Sequence, residues 1–346
     1  MNIMTGGITT DGSSVWGTRY PFHPYPTGWF MVGFSEEVAP KGVKPLRYFA
    51  RDLVLFRTED GKAVVADAHC PHLGAHLGYD SKVEGDTIVC PFHAWRYDST
   101  GKCVAIPFTK MIPPQARIRV WPTVERSGII FVWHDLDGRE PSWQIPDYDE
   151  STRREGTGFH RLHDDFGGAH PQDIFENAVD FAHFPGVHSV GKTMAAGELQ
   201  LNGPILLSPI KMYALDETKP PEEATPMSLA MAEVVGGGLA RVASTTPMLP
   251  GITSISWVGA TPVDEKLTHY RVSFFALVAP DCPLTDEQID AYDKAATPIN
   301  RAEQYSDGKI WPHKAYVHRP MLSAVDGPIL KYREWYRQFD PRPMVG

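Results

Sequence analysis

The sequence predicts an α+β chain in two parts, an all-β unit over residues 1–146 and a unit over 147–346 in which helices flank a mostly antiparallel sheet. Three observations carry this. From about residue 27 to 134 the chain reads as short runs of aromatic and β-branched residues cut by Gly, Pro and Asp, the composition of strands and turns. The stretch "DGREPSWQIPDYDE" (137–150) is acidic and turn-rich, and marks a linker. Beyond it, helical spacing of apolar residues appears at both ends of a series of strand-like segments.

The strands expected first are "GWFMVGF", "DLVLFRT", "AVVADA", "TIVCPF", "RIRVWPTVE" and "GIIFVWH". In the second part "HPQDIFENAVDFAHF" (170–184) reads as one helix. Pro171 suits its first turn, Ile174, Ala178, Phe181 and Ala182 recur at helical spacing, and Pro185-Gly186 is expected to stop it. Strand-like segments follow around 205–215, 228–234, 252–261 and 268–279. Thr285 and Gln288 then stand at capping-box spacing, opening a second helix. Near the C-terminus Ile329, Tyr332, Tyr336 and Phe339 fall on one helical face.

With 346 residues the chain can form two cores of ordinary size, and a net charge of −9 argues against nucleic acid or an anionic membrane as partner. No apolar run reaches the length of a membrane span, and "MNIMTGGITTDGSSVWG" lacks the basic start and apolar core of a signal peptide. Four cysteines are too few for a disulfide framework, so a reducing, cytoplasmic setting is expected.

Two of those cysteines come with histidines: Cys70 and His72 in "HCPHLGAHL", Cys90 and His93 in "CPFHAW". Two thiolates and two imidazoles in a pair of loops suit a four-ligand metal site. Spacing leaves two alternatives, a structural zinc and a [2Fe–2S] cluster in which two histidines replace two cysteines on one iron. In both loops Pro follows Cys (Pro71, Pro91), and the first continues with Leu73-Gly74; such loops can turn backbone N–H groups toward inorganic sulfide. Cys103 and Cys282 have no such company and are expected to be buried thiols.

A second constellation is "ENAVDFAHFPGVH", holding Asn177, Asp180, His183 and His188. Two histidines with one carboxylate can hold a mononuclear iron with open positions for O2. The Pro-Gly break lets the two imidazoles converge, which positions five apart on an intact helix would not. The carboxylate has to come from elsewhere, and Asp293, Glu303 and Asp307 are all chemically eligible.

"CPHLG" and "CPFHAW" together resemble the cluster loops of a Rieske domain. Ala75 and Phe92 stand where the high-potential respiratory type carries a further disulfide, and Trp95 where it carries a serine donor. A low potential is therefore expected, with Tyr97 as a remaining donor to the cluster. Followed by D-X2-H-X4-H, this resembles the catalytic α subunit of Rieske non-haem iron oxygenases. The resemblance implies a helix-grip catalytic domain, His183 and His188 as iron ligands, and Asp180 as the link from a cluster histidine of one subunit to an iron histidine of the next. It also implies a ring, typically a homotrimer. "DGKIWPHK" with "RPMLSAVDGPILKYREWYRQF" is similar to the branch holding 3-ketosteroid 9α-hydroxylases and cholesterol 7-desaturases. That likeness implies Asp307, four residues before Trp311, as the carboxylate ligand, although Gly308 departs from the larger residue usual there. It further implies O2, a steroid or sterol-like substrate, and hydroxylation, desaturation or methyl oxidation; the residues alone leave open an aromatic or amine substrate, or a non-catalytic Rieske electron carrier.

No dinucleotide fingerprint and no plant-type ferredoxin run is present, so a separate NAD(P)H-dependent reductase or ferredoxin is expected to dock near His72 and His93. His69 and His76 fall outside the ligand pattern and read as solvent-facing or packing residues. His160, His163 and His170 beside Asp164-Asp165 lack matched spacing, and Trp257, Trp311 and Phe184 fit either a pocket wall or plain core.

Overall fold

The structure is a computed structural model and describes residues 20–153, 160–188, 190–214 and 226–342. The chain folds into two compact units: Gly28–Ser142 with Thr261–Asp264, and the remainder of the chain.

The first unit is built from eleven strands among the described residues. They are β1 (Gly28–Phe34), β2 (Val43–Tyr48), β3 (Arg51–Arg57), β4 (Ala63–Asp67), β5 (Lys82–Glu84), β6 (Thr87–Val89), β7 (Arg96–Tyr97), β8 (Cys103–Ala105), β9 (Val120–Trp121), β10 (Thr123–Arg126) and β11 (Ile129–His134). They form three antiparallel sheets, ordered β1-β11-β10, β2-β3-β4-β9 and β5-β6-β7-β8. Every residue of β1 and β11 is buried, which is why both read as near-continuous apolar runs rather than alternating ones. The small third sheet shares a core with the larger one: Val54, Phe56, Val64, Ile88, Tyr97 and Cys103 pack with Cys70 and Cys90. Both cluster-loop cysteines are thus anchored in apolar surroundings. Of the other two cysteines, Cys103 is buried as expected. Cys282 is not: it lies half-exposed, its thiol donating to the Pro250 carbonyl.

The second unit is one eight-stranded antiparallel sheet among the described residues. Its strands are β12 (His160–Gly167), β13 (Lys192–Ala195), β14 (Gln200–Asn202), β15 (Ile205–Tyr213), β16 (Pro226–Val235), β17 (Leu239–Thr245), β18 (Ile252–Pro262) and β19 (Leu267–Val278), in the order β12-β19-β18-β17-β16-β15-β13, with β14 on β15. The register aligns Leu206, Val234, Ala240 and Val258 across four strands. All four enter the main core, so the even-numbered positions of these strands form one face. Against it lie α1 (Pro171–Phe175) and α4 (Ile329–Tyr336), while α3 (Asp286–Gly308) packs Ile289 on Ile252 and Ala276, and α2 (Phe184–Val187) runs beside β13. On α4 and the turn after it, Ile329, Tyr332, Tyr336 and Phe339 are all buried in that core. The capping box of Thr285 and Gln288 opens α3, with both reciprocal hydrogen bonds formed.

The expected helix over 170–184 is instead α1, a 3-10 turn over Glu176–Ala178, a break, and α2. Pro185-Gly186 does not stop it but lies inside α2, with Pro185 in the first turn where no intrahelical N–H is required. Within the proposed linker, Trp143 packs against Gly236 and Tyr148 against Trp257, so residues 143–150 belong to the second unit rather than spanning freely. The side chains of His160, His163, Asp164 and Asp165 lie outside the described residues. No described helix is long and apolar enough to cross a membrane.

Candidate metal centres

In the first unit the loops after β4 and β6 adopt the same turn. Cys70 N–H donates to Ala75 O at 2.9 Å and Gly74 N–H to Cys70 O at 2.9 Å; in the second loop Cys90 N–H donates to Trp95 O at 2.9 Å and Ala94 N–H to Cys90 O at 3.1 Å. The fifth residue of each turn is left-handed, Gly74 at φ 78° and Ala94 at φ 55°. Glycine adopts that conformation readily, whereas alanine does so at a cost, so the second loop is held there by its surroundings. This pairing brings the His72 and His93 rings to 4.6 Å between centroids. Trp95 stacks on His72 at 4.5 Å and 9°.

The donor set fits a cluster. His72 Nδ1 is buried with no hydrogen-bond partner among the described residues, a costly arrangement for a nitrogen that has no ligand to make. Burial, with Cys70 beside it, pushes the Cys90 thiol up, so a cation is needed to hold it as a thiolate. Tyr97 OH lies 3.0 Å from Cys70 Sγ. Burial and that sulfur hold the phenol far above its ordinary range, which leaves it a donor to sulfur. His69 is exposed and His76 half-buried, their rings packed edge-on at 5.1 Å.

In the second unit the broken segment brings His183 and His188 together, with ring centroids 5.2 Å apart. Asp307, on the last turn of α3, completes the set: one ligand atom from each of the three lies within 4.8 Å of the others. Asp307 Oδ2 is 3.3 Å from His188 Nε2, and Oδ1 is 3.9 Å from His183 Nε2. Both Nε2 atoms therefore face the carboxylate, and both Nδ1 atoms are engaged elsewhere. His183 Nδ1 bonds the Asp180 carbonyl, and His188 Nδ1 lies 2.8 Å from Glu303 Oε2. Histidines tied at Nδ1 present the Nε2 lone pair, the arrangement a metal needs.

The two imidazoles differ electrostatically. Burial lowers the His183 pKa, only partly countered by Asp307 and Asp180. Burial also pulls on His188, but Asp307 and Glu303 outweigh it and the pKa is raised.

The segment is fixed from behind. His170 is fully buried and caps α1: its Nδ1 accepts from Gln172 N–H at 3.1 Å, so the Nε2–H donates to the His23 carbonyl at 3.1 Å. Glu176 pairs with Arg333 of α4, and Tyr332 OH donates to Gln172 O at 2.7 Å. Val179 meets the backbone at Gly327, where a Cβ would stand 1.7 Å from the Val179 carbonyl oxygen.

Asn177 lies half-buried on the 3-10 turn, three residues before Asp180. The Asp180 carboxylate is 4.0 Å from His183 Nδ1, while its carbonyl makes the bond. Phe184 packs on both His183 and His188, at 4.3 and 5.3 Å between centroids, whereas Trp257 and Trp311 are core. Two cavities lie elsewhere in this unit. One of about 110 Å³ is lined by Ser244, Ser254, Ser256 and Tyr292, and one of about 570 Å³ by Leu229, Leu249, Ile252 and Leu277; neither is lined by His183, His188 or Asp307.

An iron–sulfur domain of matched Cys/His loops, followed by a sheet domain whose broken helical segment and last turn of α3 bring two histidines and a carboxylate together, defines a Rieske-type non-haem iron oxygenase. Residues 28–122 match the Rieske [2Fe-2S] domain, and residues 132–339 match the 3-Ketosteroid 9alpha-hydroxylase C-terminal domain. The chain is 32% identical over 341 residues to cholesterol 7-desaturase of Xenopus laevis, covering 91% of this chain and 72% of that one. It is 30% identical over 329 residues to the oxygenase component of 3-ketosteroid-9-alpha-monooxygenase of Rhodococcus rhodochrous, covering 91% and 84%. Its fold is similar to that of NdmA of Pseudomonas putida CBB5 with caffeine, at a TM-score of 0.65, 18% identity and 89% of each chain. The same holds for dicamba monooxygenase bound to dicamba, at 0.61, 20% identity, and 91% and 97% coverage. The chain belongs to the family of Rieske oxygenases that contains 3-ketosteroid 9α-hydroxylases and cholesterol 7-desaturases. Its cofactors are a Rieske [2Fe–2S] cluster and a mononuclear iron.

Proposed function

We propose that this chain is the terminal oxygenase of a multicomponent system that hydroxylates or desaturates a steroid or sterol-like substrate, or oxidises a methyl group on it. The observation that carries the site assignment is the convergence of His183, His188 and Asp307 with both outer nitrogens engaged. The substrate class rests on the two relatives at 30% and 32% identity, which act on a ketosteroid and on cholesterol.

Cys70, His72, Cys90 and His93 would hold the cluster, and His183, His188 and Asp307 the iron. Together these groups supply one-electron delivery and O2 activation when bound. The chain's own residues do the positioning. Tyr97 donates toward the Cys70 sulfur, the Asp180 carbonyl orients His183, and Phe184 covers the flank of both histidines and keeps water from them. Asp180 spends its carbonyl on His183 and retains a carboxylate whose side chain is 26% exposed. In this reading that carboxylate reaches a cluster histidine of a neighbouring copy in a homotrimeric ring. Asn177, one 3-10 turn earlier, lies on the same route. Electrons come from a separate NAD(P)H-dependent reductase or ferredoxin docking beside His72 and His93.

The test is His183→Ala, assayed with a steroid panel and a surrogate reductase. Wild type should hold about three irons and two sulfides per chain, and the variant about two and two with an unchanged Rieske EPR signal and no product. Product at the wild-type rate from the variant would sink the reading.

A further inference from the structure

The eligible carboxylates of α3 include Glu303 and Asp307, four residues apart and hence on one face of the helix. They do not compete for one place. Asp307 meets the Nε2 side of His188 at 3.3 Å, and Glu303 meets its Nδ1 side at 2.8 Å. A single helix thus grips both ends of one imidazole. The two ring nitrogens point away from each other, so an ion on Nε2 lies beyond the reach of the carboxylate on Nδ1.

We infer that Glu303 is a positioning residue for the mononuclear metal, acting through His188 as the acceptor of its Nδ1–H. The inference rests on His183, His188 and Asp307 being the metal site. Glu303 holds the neutral imidazole in the tautomer that presents Nε2, fixes the ring plane, and places a full negative charge behind the ligand. That charge makes the ligand nitrogen more basic. The other histidine has only a weaker counterpart: His183 Nδ1 bonds a neutral backbone carbonyl, and the nearest carboxylate oxygen, of Asp180, stands 4.0 Å away. The two imidazoles are therefore unequal ligands, His188 being the stronger. A carboxylate at this position also sets it apart from a structural acid. Its side chain is 30% exposed, its partner among the described residues is His188, and alanine at 303 suits the helix.

The experiment uses full-length protein with its cluster intact and the mononuclear site stripped by mild chelation under anaerobic conditions. Fe(II) uptake by wild type, Glu303→Gln and Glu303→Ala is followed by equilibrium dialysis, as iron bound in excess of sulfide. Glu303→Ala should weaken Fe(II) binding about 10- to 100-fold. Glu303→Gln, whose amide oxygen can still accept from Nδ1–H without the charge, should fall between that variant and wild type. Cluster EPR and melting temperature should stay at wild-type values in both. Wild-type affinity in Glu303→Ala would overturn the inference. So would equal losses in the two variants accompanied by a lower melting temperature, which would mean a structural role. Wild-type protein that takes up no Fe(II) would overturn the metal-site reading itself, and this inference with it.

Discussion

Gly327→Ala probes the segment that carries His183 and His188 without touching a candidate ligand. An alanine methyl there would meet the Val179 carbonyl oxygen at 1.7 Å, its carbon at 2.8 Å and Phe181 Cδ2 at 3.1 Å. A carbon and a carbonyl oxygen settle at roughly 3.3 Å, so the two backbones would have to part by about 1.6 Å. Neither side yields easily. Val179 is completely buried, and Gly327 leads straight into α4, which is pinned to α1 through Tyr332 and to the 3-10 turn after it through Arg333. Overpacking of this kind costs about 1–3 kcal/mol. The functional cost is of the same order, because Val179 precedes Asp180, whose carbonyl holds His183. A misplacement of about 1 Å can lower a rate on the order of 100-fold. The variant should therefore keep its cluster, whose four candidate ligands lie between residues 70 and 93, while iron in excess of sulfide falls and turnover drops by about two orders of magnitude. Metal analysis, cluster EPR and product formation on the same sample decide it. Full iron and wild-type turnover would show that the contact does not position His183, and would refute the reasoning.

Two further outcomes follow from the same geometry. Tyr97→Phe removes a donor 3.0 Å from Cys70 Sγ; losing roughly 1 kcal/mol of preference for the reduced cluster should move its potential about 40 mV more negative, measured by redox titration. An unchanged or raised potential would show that the phenol does not donate to the cluster. His170 supplies the pH dependence. Burial lowers its pKa to about 4, so the unfolded chain takes up its proton near pH 6.5 while the folded chain does not. The stability this contributes is complete above pH 6.5 and is lost as pH falls toward 4, by about 3 kcal/mol in all. His170→Asn keeps a helix cap without the titration, and should flatten that part of the denaturation-midpoint profile; identical profiles for the two proteins would rule the mechanism out.

The parts of this molecule legible in its sequence are those where local pattern and burial agree. β1 and β11 read directly because every position is apolar, and the Cys70/His72 and Cys90/His93 pairs because ligand chemistry is compressed into a few residues. β17 was not legible: its start is masked by Gly236-Gly237-Gly238, and β5, β7 and β8 are three residues or shorter. The helix over 170–184 misread for a different reason. Its apolar spacing is real, but the break at Val179–His183 is imposed by Gly327, nearly 150 residues away, and by a ring nitrogen that takes a backbone carbonyl. The Glu303–His188 contact could have been suspected from the four-residue spacing of Glu303 and Asp307. Which nitrogen each would face could not, since that depends on where the tertiary fold carries His188.

The helix α3 also has an electrostatic polarity with a consequence of its own. It is 23 residues long, about 34 Å, and begins conventionally, with Asp286 and Glu287 in the first turn behind the Thr285 cap. It ends against the rule, with no basic residue in the last turn and with Glu303 and Asp307 crowding the end that already carries partial negative charge. Each such carboxylate costs an isolated helix about 0.3–1 kcal/mol. A divalent cation beside Asp307 reverses the sign of that cost, because the same partial charge that repels a carboxylate attracts the ion. Occupancy of the metal site and the integrity of the last turn of α3 are then a single coupled equilibrium. An ion held by Asp307 would serve as the C-terminal cap of the helix that binds it.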